Sequence, residues 1–206
     1  MQGNTTGLQV QGGSSALARG CKFRDQRNNG VFMVEKSHVT LEGCEAWGSG
    51  WHGIVITGGA DAALKQCTSR DNNGSALQIH GGARGDLTDC DLANGRDWSC
   101  VVVLDVTEST FRRTRVRNSA RGGIEVANAK LVLEQCEIFA NGWSGVSFTK
   151  NSEGTVRNST IRDNQHWGVA LYDAAVATFD ECEMRSNARG SLGNHTGRPP
   201  TIRASR

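Results

Sequence analysis

The chain has 206 residues, 37% of them hydrophobic, and carries a formal net charge of +2 at pH 7. This length and apolar content suffice for one domain with a continuous core. The charge is too small to indicate a nucleic-acid-binding protein, in which a clearly basic face is expected. No run of about 18 apolar residues occurs, so we expect neither a membrane span nor a membrane partner.

One pattern recurs eight times along the chain. In each copy two apolar residues, one apart, usually follow a glycine. An alternating segment then leads to a small anchor residue, and in most copies an Asn follows four or five residues later. The anchors are Cys21, Cys44, Cys67, Cys90, Thr114, Cys136, Ser159 and Cys182. Successive anchors lie 22 to 24 residues apart, and a fixed period of this length is typical of repeat architectures.

The apolar pairs mark the first strand of each copy. In chain order they are Leu8/Val10, Val31/Met33, Ile54/Ile56, Leu77/Ile79, Val101/Val103, Ile124/Val126, Val146/Phe148 and Val169/Leu171. Alternation with a period of two predicts strands, and no stretch sustains the period of a helix. A coil of about 23 residues cannot bury its apolar side alone, but stacked coils can. The sequence therefore predicts an all-β protein, a right-handed parallel β-helix solenoid of about eight coils.

The repeat resembles a known family. The glycine, the alternating apolar pair, the Leu-x-x-Cys step at Leu64 and Cys67, and the Asn turn are similar to the parallel β-helix (PbH1-type) repeats of the pectin-lyase-like superfamily. The resemblance covers roughly Gly7 to Gly190 and implies the fold. It leaves the activity open, because that superfamily includes lyases, hydrolases, epimerases, phage-tail proteins and non-enzymatic recognition domains.

The repeat divides the chain into three parts. We predict a lead-in over residues 1–6, the β-helix domain over residues 7–190 and a polar tail over residues 191–206. Solenoids usually cap their terminal coils, and neither end of this sequence carries a clear cap. We therefore expect a fragment of a longer chain or a chain capped by a partner. The tail either wraps across the last coil or is disordered.

Six of the seven cysteines occupy the anchor column. In-register neighbours point the same way, which suits a stack of small buried thiols better than disulfide geometry. Free thiols, together with the lack of a signal peptide in residues 1–10, favour a reducing, cytoplasmic location. No Cys-x-x-Cys occurs and the histidines lack metal-ligand spacing, so we expect neither a metal nor another cofactor.

Tryptophans recur at the turn that leads into the apolar strand. Trp51, Trp98 and Trp143 take this position in coils two, four and six, and Trp167 lies one residue beyond it in coil seven. Successive indoles of the row would lie about 9.6 Å apart, a pitch that suits stacking on alternate rings of an extended polysaccharide. Alternatively, each ring packs against its own corner with its N–H bonded to a turn carbonyl, or the row is a protein interface.

A second column lies three residues after the anchor, where arginines mostly alternate with aromatic or small residues. It reads Arg24, Trp47, Arg70, Ala93, Arg117, Phe139, Arg162 and Arg185. The alternation separates like charges and permits cation–π contacts between coils. We interpret this column as a solvated ladder that supports the coil edge. The alternative is a binding surface for an anionic ligand. Aspartates directly follow three of the arginines, and their negative charge disfavours that alternative.

The outward side of the strand that follows the glycine is apolar in the first half of the chain. We expect five of its residues to form an exposed patch, namely Phe32, Val34, Val55, Val102 and Leu104. Such a patch marks a protein interface, a self-association surface or a face covered by another segment.

The same face becomes polar toward the C-terminal end, where Lys150, Tyr172 and Asp173 form a cluster, together with Glu125. A uronate lyase or C5-epimerase needs a base, an acid and a cation that stabilises the enolate, and Lys150, Tyr172 and Asp173 could supply those parts. Signatures of the enzyme branches, such as Asp-Pro-His-Asp and Gly-His-Gly, are absent from the sequence.

We therefore predict a non-enzymatic recognition or scaffold module that presents one long face to a protein or polysaccharide partner. The alternative is a carbohydrate-active enzyme, similar to a polysaccharide lyase or a C5-epimerase, that works on the strand face near the C-terminal coils. A third possibility is a purely structural solenoid within an assembly.

Overall fold

The computed structural model describes residues 4–106 and 108–203. These residues form 26 β-strands and no helix, so a membrane-spanning helix is absent from this part of the chain. In chain order the strands are β1 (Leu8–Val10), β2 (Ser15–Arg19), β3 (Lys22–Arg24), β4 (Val31–Met33), β5 (His38–Glu42), β6 (Glu45–Trp47), β7 (Ile54–Ile56), β8 (Asp61–Lys65), β9 (Thr68–Arg70), β10 (Leu77–His80), β11 (Arg84–Thr88), β12 (Asp91–Ala93), β13 (Val101–Leu104), β14 (Ser109–Arg112), β15 (Arg115–Arg117), β16 (Ile124–Ala127), β17 (Lys130–Glu134), β18 (Glu137–Phe139), β19 (Val146–Thr149), β20 (Glu153–Arg157), β21 (Thr160–Arg162), β22 (Trp167–Leu171), β23 (Val176–Asp180), β24 (Glu183–Arg185), β25 (Gly190–Asn194) and β26 (Thr201–Arg203).

The strands build three parallel sheets that run the length of a solenoid. Sheet A has nine strands in the order β1-β4-β7-β10-β13-β16-β19-β22-β25, and sheet B has nine in the order β2-β5-β8-β11-β14-β17-β20-β23-β26. Sheet C has eight, in the order β3-β6-β9-β12-β15-β18-β21-β24. Each residue pairs with its equivalent one coil away, as Leu64 does with Leu41 and Leu87. The predicted all-β parallel solenoid with a repeat of about 23 residues is thereby confirmed.

The core is built from stacked columns of inward side chains. In sheet B, for example, the residues three positions before the anchor are fully buried in five successive coils: Leu41, Leu64, Leu87, Phe111 and Leu133. Each side chain packs on its equivalent in the next coil, so truncation of one to Ala would cost about 2–5 kcal/mol of stability. The period-2 pattern of the sequence therefore predicts correctly which side chains of this strand point into the core.

The turn between sheet C and sheet A needs a left-handed backbone. The residue four positions after each anchor has a φ between 53° and 67° in all eight copies: Asp25, Gly48, Asp71, Asn94, Asn118, Ala140, Asp163 and Ser186. Gly, Asn and Asp adopt this conformation at the lowest cost. Ala140 and Ser186 are the two exceptions to that preference.

A buried ladder of asparagines lies inside this turn. Asn141 Nδ2 donates to Asn164 Oδ1 at 2.9 Å, and Asn164 Nδ2 donates to Asn187 Oδ1, also at 2.9 Å. The Asn column of the sequence thus consists of two positions. Asn94 and Asn118 occupy the left-handed position, whereas the ladder residues follow one step later and point inward.

The cysteines are free thiols, as the sequence predicts. Cys67 Sγ lies 3.4 Å from the carbonyl oxygen of Leu41, and Cys136 Sγ lies 3.2 Å from that of Phe111, so each thiol contacts a neighbouring coil. Burial raises the pKa of Cys136 to about 11 and the pKa of Cys100 to about 12. Neutral thiols of this kind are structural and unreactive at pH 7.

Most of the segment predicted as a polar tail contributes to the solenoid, and residues 204–206 of it lie outside the described residues. Strand β25 pairs with β22 through Trp167 and Gly190, and β26 pairs with β23 through Phe179 and Ile202. Sheets A and B thereby continue past Gly190, where the predicted β-helix domain ends. Strand pairing uses backbone groups, so it can extend into a segment whose side chains no longer follow the apolar pattern.

Candidate functional site

Three tryptophans stand out from the corner between sheet C and sheet A. Trp51, Trp98 and Trp143 are 63%, 55% and 53% exposed. Large apolar side chains exposed in a row are unusual on a soluble protein and indicate a binding surface. The intervening coils carry Gly74 and Arg121 at the same position, so the indoles are separated along the solenoid.

Tight packing of the corner explains why the indoles point outward. A Cβ atom added to Gly50 would overlap the carbonyl oxygen of Arg27, and one added to Gly142 would overlap the carbonyl oxygen of Ala120. Only glycine fits there, because successive coils touch through their backbones. The residue after each of these glycines, Trp51 or Trp143, therefore extends into solvent.

The first cleft lies between Trp51 and Trp98 and has a volume of about 240 Å³. Its lining residues are Gly50, Trp51, His52, Asn73, Gly74, Asp97 and Trp98. Gly74 allows the imidazole of His52 to pack closely against the backbone, since a Cβ atom added there would overlap it. Burial of His52 lowers the pKa of its imidazole, and its Nδ1 accepts a hydrogen bond from the Ser75 N–H at 3.0 Å. His52 is thus neutral at pH 7 and forms an uncharged floor.

The second cleft lies beside Trp143 and has a volume of about 290 Å³. Its lining residues are Ser99, Arg121, Gly122, Glu125, Trp143, Ser147, Thr149 and Tyr172. Ser99 Oγ donates to Glu125 Oε2 at 3.2 Å. The cleft is polar at its floor and aromatic at its walls, a combination that suits a hydroxyl-rich ring.

A third depression, lined by Asp97, Trp98, Ser99, Arg121 and Glu125, connects the two clefts. Together they form one groove, which we call the Trp groove, along the edge of sheet A. It extends from the coil of β7 to the coil of β22, five strand-to-strand steps or about 24 Å. A ligand in it would lie parallel to the solenoid axis and cross the strands at right angles.

The structure brings one of the three predicted catalytic residues into this groove. Tyr172 lines the second cleft. Lys150 and Asp173 lie in the turns that leave sheet A, with φ values of 57° and 55°, and the Lys150 N–H donates to Asp173 Oδ2 at 2.9 Å. The Asp173 carboxylate therefore caps a turn. Two charged groups accompany Tyr172: Glu125, which the sequence placed in the same polar cluster, and Arg121, which it did not single out.

Trp167 differs from the three exposed tryptophans. It is half-buried, and its ring lies so close to Gly193 that an added Cβ would come within 2.6 Å of Trp167 Nε1. Its ring also makes edge-to-face contacts with two imidazoles. The ring centroids are 6.0 Å apart for His166 and 6.4 Å apart for His195. His195 in turn stacks on Tyr172 at 4.8 Å. Trp167 thus belongs to an aromatic cluster that supports the end of the groove.

The predicted apolar patch on sheet A is less exposed than the sequence indicated. Val55 and Val102 are only 3% exposed, and Phe32, Val34 and Leu104 are half-buried. Outward side chains of a parallel sheet are about 4.8 Å from their equivalents, so a full column of them covers its own members. The prediction that Val55 and Val102 are exposed is therefore wrong.

The arginine column on sheet C is a structural ladder, as interpreted from the sequence. The guanidinium of Arg162 lies 4.4 Å from the ring centroid of Phe139. Arg117 donates through Nε and Nη2 to both carboxylate oxygens of Asp91, at 3.0 and 2.9 Å. These arginines face each other and their acidic neighbours, and sheet C is thus occupied by its own charge pairs.

A metal centre is not evident in the part of the chain that the structure describes. No group of three or more His, Cys, Asp or Glu side chains within residues 4–106 and 108–203 could hold an ion. The Trp groove offers aromatic faces, hydroxyls and the charged side chains of Asp97, Arg121 and Glu125.

Comparison with known proteins agrees with the geometry. The model of the right-handed beta helix region matches residues 2–104 and 100–205, which together span nearly the whole chain. The chain belongs to the right-handed β-helix family. No curated protein sequence matches it.

Solved structures with this fold include carbohydrate-active enzymes. The periplasmic alginate epimerase AlgG is 16% identical, with a TM-score of 0.78 over 91% of this chain and 47% of its own. The A-module of mannuronan C-5 epimerase AlgE4 from Azotobacter vinelandii is 13% identical, with a TM-score of 0.67 over 90% of this chain and 57% of its own. Pectate lyase Pel9A is 14% identical, with a TM-score of 0.56 over 84% of this chain and 54% of its own. The chain spans about half the length of these structures, and the similarity establishes the shared fold.

Proposed function

We propose that this β-helix is a non-enzymatic recognition module that binds a polysaccharide along the Trp groove. The observation that carries the proposal is the row of three tryptophans, each more than half exposed, together with the connected clefts that run along the row. Indoles in alternate coils are about 9.6 Å apart along the axis. Sugar rings present apolar faces that stack on such indoles, and the polar floor offers partners for their hydroxyls.

Two further observations favour a polysaccharide over a protein partner. Val55 and Val102 of sheet A are buried, which reduces the apolar surface that a protein could use. In addition, several structures with the same fold are named as epimerases or lyases of polysaccharides. Their identity to this chain is low, so they support the class of partner and not a reaction.

Replacement of the central tryptophan tests the proposal. Trp98 lines the first cleft and the third depression, so Trp98→Ala removes a wall from both, and we expect affinity for a retained polysaccharide to fall at least about tenfold. Leu17→Ala is the matched control, because Leu17 is also 55% exposed but lies on sheet B. The measurement is affinity electrophoresis against neutral and anionic polysaccharides, with melting curves as a check of folding. Equal retention of both variants would contradict the proposal.

The enzymatic alternative retains one supporting observation. Tyr172, Glu125 and Arg121 line the same cleft, and a lyase or epimerase needs an acid, a base and a cation. The same polysaccharides should therefore be incubated with the protein while ultraviolet absorbance is followed for unsaturated products. Product that disappears in Tyr172→Phe would establish the enzyme and overturn the recognition module.

A further inference from the structure

The first cleft combines two aromatic faces with an acidic group. Asp97 lies beside Trp98 in the lining and is exposed. Its N–H donates to the carbonyl oxygen of Asn73 at 2.9 Å, whereas its carboxylate has no ion-pair partner within residues 4–106 and 108–203. A carboxylate next to indole faces attracts cations and repels anions, since the face of an indole carries negative charge density.

Nearby charged groups leave this preference in place. Arg121 and Glu125 line the adjoining depression together with Asp97, and their opposite charges offset each other. His52 is neutral at pH 7, because burial lowers the pKa of its imidazole. Arg96 precedes Asp97, but its Nη1 is directed at Asn73 Oδ1, 3.5 Å away, and Arg96 does not line the cleft. The guanidinium of Arg96 therefore lies at the rim.

The second cleft makes a useful contrast. It contains one cation, Arg121, and one anion, Glu125, so its lining carries no net charge. The lining of the first cleft contains Asp97 as its single charged group at pH 7. Two clefts of similar size and similar aromatic walls thus differ in electrostatic preference.

The shape of the first cleft restricts the ligand further. Gly74 stands between Trp51 and Trp98 in their column, so no side chain at that position separates the two indoles, and a ring can stack on one of them. We propose that this cleft takes an amino-sugar unit whose amine is free and protonated, within a polysaccharide bound along the groove. The ring stacks on Trp51 or Trp98, and the ammonium group pairs with Asp97. This inference rests on the proposed function and adds the class of sugar.

The test compares two oligosaccharides of equal length, one of glucosamine and one of N-acetylglucosamine. Acetylation removes the charge and leaves the ring, so titration calorimetry below the pKa of the amine isolates the ammonium contact. We expect the full chain to bind the glucosamine oligomer at least about tenfold more tightly. In Asp97→Asn this preference should disappear, whereas Asp61→Asn, a change of another exposed aspartate on sheet B, should preserve it.

Each other outcome overturns the inference in a distinct way. If both oligomers bind the full chain equally, or if the preference persists in Asp97→Asn, the amino-sugar assignment is wrong and the proposed function stands. If neither oligomer binds, the assignment is also wrong, and retention of other polysaccharides in the Trp98→Ala comparison decides the proposed function. Asp97 is exposed, so its substitution leaves the fold intact in either case.

Discussion

At the scale of single residues, the fold depends on turn positions with a left-handed backbone, and the residues at these positions differ in how readily they adopt it. Eight equivalent turns require a left-handed residue, and six of them use Gly, Asn or Asp. Ala140 adopts a φ of 54° at this position and is exposed. Its methyl group therefore makes no core contact that would offset the strain of the left-handed backbone. The turn at Ala140 holds because the strands on both sides of it are paired.

This strain gives a prediction with a clear sign. Ala140→Gly should stabilise the protein by about 1 kcal/mol, because glycine adopts the required φ without strain. For a chain of this size the melting temperature should rise by about 2–4 °C. Ala120→Gly is the control: Ala120 is also exposed but is not among the residues with positive φ, so it should destabilise by about 0.5–1 kcal/mol. Calorimetric melting that shows the same sign for both changes would refute the explanation.

At the scale of elements, the asparagine ladder ties three coils together inside the turn. Asn164 Oδ1 accepts from both the N–H and Nδ2 of Asn141, and its own Nδ2 donates to Asn187 Oδ1 and to the Ile138 carbonyl oxygen. These groups are buried, so each of them depends on the ladder for a partner. The ladder therefore fixes the path of the turn that presents the tryptophans.

Asn164→Ala should accordingly be costly. It leaves buried donors and acceptors on both neighbouring coils without partners, each worth about 1–3 kcal/mol, so we expect a total loss of about 3 kcal/mol. That corresponds to a fall in melting temperature of roughly 10 °C. Asn118→Ala, at an exposed turn position, should cost only about 1 kcal/mol. Equal losses in the two variants would show that the ladder contributes little.

Some features of the strands and of the groove could be predicted from the sequence, and others could not. The inward columns were predictable because burial repeats every coil, so Leu64 and its equivalents are all apolar. The burial of Val55 and Val102 could not be predicted. A period-2 pattern separates the two faces of a strand, but it does not show how far neighbouring side chains bury the outward face. Val102→Glu, which would test self-association at an exposed patch, would instead bury a charge. Asp97, Arg121 and Glu125 each appear once in their columns, so no repetition marked them as part of the groove.

At the scale of the whole molecule, the solenoid is modular, whereas the binding site depends on which coils are neighbours. Deleting residues 54–76 removes one whole repeat and places Gly53 where Ala76 precedes Leu77. Sheet pairing can close over the deletion, because every coil offers equivalent strands. Trp51 and Trp98 then occupy adjacent coils about 4.8 Å apart, and the first cleft, which lies between them, is gone.

We therefore expect this deletion variant to fold, with a β-rich circular dichroism spectrum, but to bind glucosamine and N-acetylglucosamine oligomers equally. Deletion of residues 8–30 removes a repeat of the same length without touching the tryptophan row, and it should keep the preference for the free amine. If both deletions unfold the chain, the coils are not interchangeable and the modular account is wrong. If the first deletion folds and still selects the amine, the selectivity arises elsewhere in the groove, because the spacing of Trp51 and Trp98 then has no part in it.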